Sequence, residues 1–201
     1  LALENIIEVD PQLADTNVLL PAPYLNEAWP QSGGYPDHAM HHLAGSDNLR
    51  LIWKVSIGSG SDDDGRILTT PVVFGNQIFA IDSEAQVTAF KANTGELIWK
   101  FDPRIDGIED DGFGGGLAYE AGYLFVTTGF GHVIALNIKT GDELWRQDIG
   151  IPVRAAPVVA GGRVFVITYD NQLWSLSRED GSIQWTNSGI SETAGLLGAA
   201  V

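Results

Sequence analysis

Four tryptophans at regular spacing constrain this chain more than any other feature. Trp53, Trp99, Trp145 and Trp185 lie 46, 46 and 40 residues apart. The last three each close a copy of one motif. Ala89 leads through Thr94-Gly95 to Trp99, Ala135 through Thr140-Gly141 to Trp145, and Ser175 through Asp180-Gly181 to Trp185. Self-similarity at a period of about 40–50 residues marks a repeat architecture, in which one unit covers the apolar face of the next.

The unit reads as all-β. In the first full copy the runs Leu68–Phe74, Gln77–Asp82, Val87–Lys91 and Leu97–Phe101 are rich in Val, Ile and Phe, as buried strands are. Gly75-Asn76 fits a two-residue turn between the first pair. Thr94-Gly95 fits the turn before the fourth, where Gly admits positive φ. The third copy repeats the plan, with Gly161-Gly162 before Arg163–Ile167, then Leu173–Ser177 and Ile183–Thr186. Four-stranded units of this length are propeller blades. The predicted fold is therefore an all-β propeller of four-stranded antiparallel blades. One Trp per blade, with Gly95, Gly141 and Gly181 as turn partners, points to a structural ring covering the neighbouring blade's turn rather than a ligand-stacking platform.

The 201 residues accommodate only about three and a half such units. The predicted organisation is a Pro-interrupted extended leader over residues 1–28 and a partial propeller over 29–201. Residues 49–55, ending near Trp53, read as an outer strand without inner partners before it, which fits ring closure by an N-terminal strand. Blades are expected at about 66–103, 112–149 and 152–187, with a further one starting at 195–201.

A net charge of −15, with 11 Lys and Arg scattered through the chain, argues against a nucleic-acid groove, which needs a basic stripe. It equally disfavours an anionic membrane surface. No apolar run reaches the roughly 18 residues of a spanning helix. The absence of Cys excludes disulfides and thiolate metal ligands from this segment.

Candidate chemistry is sparse. Asp62-Asp63-Asp64-Gly65 and Glu109-Asp110-Asp111-Gly112 occupy equivalent inter-blade connections. Oxygen-rich loops can hold Ca²⁺, but consecutive Asp residues lack the alternating spacing of a Ca²⁺ loop, and solvated loops are the simpler reading. His38, His41 and His42 could place two imidazoles on one helical turn for a metal, yet no further ligand is spaced to complete it. His132, beside Gly131, fits a hairpin turn. The Gly-rich run 112–116 lacks the following helix and Lys-Ser/Thr of a phosphate loop, and close backbone packing near the axis explains it better. No catalytic, cofactor-binding or metal-binding residue is assigned.

The motif Ala-x-x-x-x-Thr-Gly-x-x-x-Trp resembles the repeat of the quinoprotein-like propellers, which include pyrroloquinoline quinone (PQQ) dehydrogenases and the outer-membrane assembly lipoproteins of the BamB family. Ala28–Gly34 with His38–His42, Gly115–Tyr119 with Val126–Gly131, and Ser191–Gly198 look like the alphaproteobacterial BamB-like branch. The resemblance covers roughly residues 28–201. In the dehydrogenases a vicinal Cys-Cys disulfide lies against the quinone, and this chain has no Cys. A Ca²⁺ ion and a carboxylate base complete their site, and none of those residues is matched here.

The BamB resemblance implies a propeller of about eight blades. It also implies a non-catalytic scaffold without cofactor. Expected partners are the BamA periplasmic domains and nascent outer-membrane proteins. The expected location is the periplasm, at the inner face of the outer membrane, with a lipid anchor on a Cys upstream of this segment. The docking loop falls by position at Ser188, Gly189, Ile190, Ser191 and Glu192. Ile190 is its one sizeable apolar side chain, set in a polar rim, which either docks a partner or folds back onto the blade. The runner-up function is a PQQ-dependent dehydrogenase or a degenerate relative.

Overall fold

The structure, a computed structural model, describes residues 10–11, 16–17, 19–61, 67–105 and 114–188. These form three four-stranded antiparallel sheets, each running in simple chain order. The first blade holds β1 (Val72–Phe74), β2 (Gln77–Ile81), β3 (Val87–Lys91) and β4 (Leu97–Phe101). The second holds β5 (Gly115–Glu120), β6 (Tyr123–Thr128), β7 (His132–Asn137) and β8 (Glu143–Asp148). The third holds β9 (Val158–Ala160), β10 (Arg163–Ile167), β11 (Gln172–Ser177) and β12 (Ile183–Ser188). The first strands β1, β5 and β9 approach one another, so they line the propeller axis and the fourth strands form the rim.

The same side chains recur in register. Val72, Phe79, Ala89 and Trp99 stand opposite one another across the first blade, and all four are buried in the core shared with the second. Ala118, Phe125, Ala135 and Trp145 make the equivalent row facing the third. The small residue beside each Trp leaves room for the indole. The Phe rings lie 5.8 Å and 5.9 Å from Trp99 and Trp145, and Phe165 lies 6.0 Å from Trp185. Such tilted pairs add to burial of roughly 150–250 Å² per ring.

A β-bulge precedes the tryptophan in every blade, at Ala89/Phe90, Ala135/Leu136 and Ser175/Leu176. One extra residue on the fourth strand re-aims the side chain that follows. The turn between the second and third strands is also repeated. Asp82 Oδ1 accepts the Gln86 N–H, Thr128 Oγ1 that of His132, and Thr168 Oγ1 that of Gln172, at 2.8, 3.2 and 3.1 Å. The residue three places on adopts positive φ: Ala85 at 65°, Gly131 at 86° and Asn171 at 64°.

Strand ends differ from the sequence reading for local reasons. The strand expected over Leu68–Phe74 pairs only from Val72, after Pro71, which has no N–H to donate to a ladder. β9 likewise begins just after Pro157. β2 stops at Ile81 because the Asp82 carboxylate is committed to the turn. β11 starts one residue earlier than expected, at Gln172, and its pairing carries β12 on to Ser188. Tyr24 of the leader bridges Leu43 in parallel, a contact with no signal in the sequence. Residues 49–55 belong to none of the described strands, and Leu49, Leu51 and Ile52 are exposed.

Candidate functional site

Trp53, Trp99 and Trp145 each reach forward to the next blade's turn. A Cβ added to Gly141 would fall 2.7 Å from the Trp99 ring, and one on Gly181 would fall 2.5 Å from Trp145. The Trp99 Nε1–H donates to the Ile138 carbonyl at 3.0 Å, and that of Trp145 to the Arg178 carbonyl at 2.9 Å. Trp53 treats Gly95 in the same way, 2.7 Å from an added Cβ, with its Nε1–H on the Ala92 carbonyl at 3.0 Å. All three glycines have φ between +71° and +78°. Apolar contact, an indole hydrogen bond and a left-handed glycine thus form one joint, repeated between successive units. Trp185, on the exposed face of β12, is 40% exposed.

Salt links add to the joint between the second and third blades. Arg178 pairs with Glu120 at 3.1 Å and with Glu179 at 2.6 Å. The Arg178 guanidinium, through its hydrogen bond, holds the Glu179 carboxyl below the usual range. Arg146 donates to the Pro103 carbonyl at 2.8 Å and pairs with Glu143, tying the second blade to the connection leaving the first.

Of the predicted docking residues, Ser188 is described and ends β12, exposed. Gly189, Ile190, Ser191 and Glu192 lie outside the described residues, as do the acidic runs 62–65 and 109–112. The histidines stand apart from a helical turn: His38 and His41 have φ of 54° and 48°, a region that His visits more readily than most side chains. His42 Nδ1 lies 2.7 Å from the Pro21 carbonyl, so this ring ties two parts of the N-terminal segment together. Among the described residues no group of three His, Cys, Asp or Glu side chains could hold a metal ion. His132 opens β7, with Nδ1 3.3 Å from an Arg146 nitrogen. Gly115 and Gly116 begin the axial strand β5, where an added Cβ would lie 2.0 Å from the Thr127 oxygen and 2.5 Å from Ala156 Cβ. Backbone packing accounts for those two glycines.

Sequence reasoning set Trp29, Pro30 and Gln31 only at the start of the partial propeller and missed that they lie against the axial strands. The available signal was physical: an axial strand presents one unpaired backbone edge, and something must satisfy it.

Blades built on this repeat define a propeller of the quinoprotein type. The fold agrees with the solved quinohemoprotein alcohol dehydrogenase of Comamonas testosteroni, at a TM-score of 0.65 over 89% of this chain, 29% of that chain and 23% identity. The family profile described as outer membrane protein assembly factor BamB matches residues 83–201, more than half of the sequence, and the chain belongs to that family. It is 30% identical over 140 residues to the outer membrane protein assembly factor BamB of Yersinia pestis, covering 67% of this chain and 35% of that protein. It is 32% identical over 135 residues to the dehydrogenase subunit of a quinone alcohol dehydrogenase from Gluconacetobacter polyoxogenes, covering 59% of this chain and 18% of that subunit. The chain thus spans about a third or less of the length of these relatives. No helix among the described residues is long and apolar enough to cross a membrane.

Proposed function

We propose that the protein is a non-catalytic scaffold of the outer-membrane β-barrel assembly machinery, acting in the periplasm. The observation that carries this reading is the family match over residues 83–201. A propeller suits the role physically, because a stack of interlocked blades holds variable loops in fixed relative positions. The finer reading is that loops on one face dock the periplasmic domains of BamA, with the segment after β12, Ser188 to Glu192, as the contact. Ile190 would be its apolar anchor within a polar rim. Nascent outer-membrane proteins are the clients, and a lipidated Cys upstream of this segment is the anchor. Residues 49–55 would complete the last blade of the closed ring from outside, with Trp53 already seated on Gly95.

What the described polar groups do is consistent with a scaffold. The buried side chains of Asp82, Thr128 and Thr168 accept backbone N–H groups, and Gln31 both donates to and accepts from the backbone.

A second reading, a PQQ-dependent dehydrogenase or degenerate relative, draws on the likeness to the quinone alcohol dehydrogenase subunit. Incubating the purified full-length protein with PQQ and Ca²⁺ separates the two. The scaffold reading expects no retained quinone absorbance and no dye reduction with alcohols or sugars. Retained quinone with substrate-dependent dye reduction overturns it.

A further inference from the structure

Three consecutive residues each address a different blade, at one and the same repeat position. Trp29 exchanges two backbone hydrogen bonds with Val73, at 2.8 and 2.9 Å. The Pro30 carbonyl accepts the Tyr119 N–H at 2.7 Å. The Gln31 side chain donates from Nε2 to the Val159 carbonyl at 2.7 Å and accepts the Val159 N–H on Oε1 at 3.0 Å. Val73, Tyr119 and Val159 are 46 and 40 residues apart, the intervals that separate Trp99, Trp145 and Trp185. They lie on β1, β5 and β9, whose free edges face the axis.

The residue types suit these positions. An edge strand turns unpaired N–H and C=O groups outward, and these need partners when buried. Trp29 satisfies a strand residue as another strand would. Pro30 has no N–H and serves only as an acceptor. The Gln31 backbone is already closed into a turn with Gly34, at 3.0 and 2.9 Å, so it cannot continue along the third blade. Its side-chain amide carries one acceptor and a donor group, as a peptide unit does, and takes the backbone's place. Gln31 is only 2% exposed, and both its polar atoms are used.

We propose that Trp29-Pro30-Gln31 is an axial clamp. It fixes three blades relative to one another by pairing one residue to each. It also takes the place that a ligand or an added strand would otherwise occupy on their inner edges, leaving loops and rim as the surfaces open to partners. The clamp is independent of the assembly role proposed above.

Hydrogen exchange and thermal melting of two variants of the full-length protein test it. Gln31→Leu keeps the bulk and removes the amide. Protection of the Val159 N–H should fall roughly tenfold relative to the native protein, as loss of a buried hydrogen-bond pair implies, with the outer strands little changed. Gln31→Glu retains the shape, and only its protonated acid can both donate and accept. Burial raises the folded-state pKa of this Glu above its unfolded value, so its stabilisation is complete below about pH 4.3 and is lost as pH rises through the folded pKa. The melting temperature of Gln31→Glu should therefore approach the native value in acid and fall below it at neutral pH. Native-like Val159 protection in Gln31→Leu, or a Gln31→Glu melt that parallels the native protein at every pH, would reduce Gln31 to space-filling and overturn the clamp. If Gln31→Leu does not fold, the Gln31→Glu comparison decides alone.

Discussion

The Trp99 indole covers the α-carbon of Gly141, with 2.7 Å from the ring to any Cβ placed there and a 3.0 Å hydrogen bond from Nε1 to Ile138 beside it. One side chain thus serves as apolar seal, hydrogen-bond donor and steric gauge between two blades. The glycine is required twice over, by contact and by its φ of +78°.

Gly141→Ala should cost about 1–3 kcal/mol, combining backbone strain with displacement of the ring. Trp99→Ala should cost about 3–5 kcal/mol, because the ring is 8% exposed and well packed. Urea unfolding of the single and double variants reads both. The double variant should cost less than the sum, since the clash disappears with the ring. Strict additivity would show that the contact carries no strain.

Asp82→Ala should destabilise by about 1–3 kcal/mol. Its carboxylate accepts the N–H groups of Ser59, Glu84 and Gln86 at 2.9, 3.0 and 2.8 Å, and the residue is 7% exposed. Asp82→Asn, which keeps one acceptor oxygen, should lose less. A native-like melting temperature for Asp82→Ala would show that the turn does not depend on these bonds.

Acid should weaken the fold through its surface carboxyls. Hydrogen bonds from Arg104 to Asp102, from Arg178 to Glu179 and from Ser182 to Asp180 hold all three carboxyls below their usual range. A depressed folded-state pKa contributes stability that is present above the unfolded values of about 3.9 for Asp and 4.3 for Glu, and is lost as pH falls through the folded value. These groups therefore leave the melting temperature level from about pH 5 to pH 8 and lower it below about pH 4. The three carboxyl residues are exposed, so each effect is small. Arg104→Ala combined with Arg178→Ala should make the acid decline shallower. An unchanged acid limb would place the sensitivity elsewhere.

What could be read from sequence was whatever each blade carries in its own residues. The period of Trp99, Trp145 and Trp185, their turn glycines and the Val-, Ile- and Phe-rich runs between them are local signals, and together they define the blades. The bulge before each Trp was not legible, because a bulge depends on the pairing of two strands. The axial contacts of Trp29, Pro30 and Gln31 were missed for the same reason, since 128 residues separate Gln31 from Val159. The shortening of β1 was legible in retrospect from Pro71. Among the candidate docking residues only Ser188 is placed, so that loop stands on position and composition alone.

Binding to BamA tests the central claim most directly. The full-length protein, immobilised and offered the BamA periplasmic domains, should retain them. Ile190→Asp should weaken retention by roughly tenfold or more with an unchanged melting temperature, as expected when an apolar anchor becomes charged. Intact retention by Ile190→Asp would remove this loop as the docking point, and a lowered melt would return Ile190 to the core. Failure of the native protein to retain BamA at all would contradict the scaffold account itself.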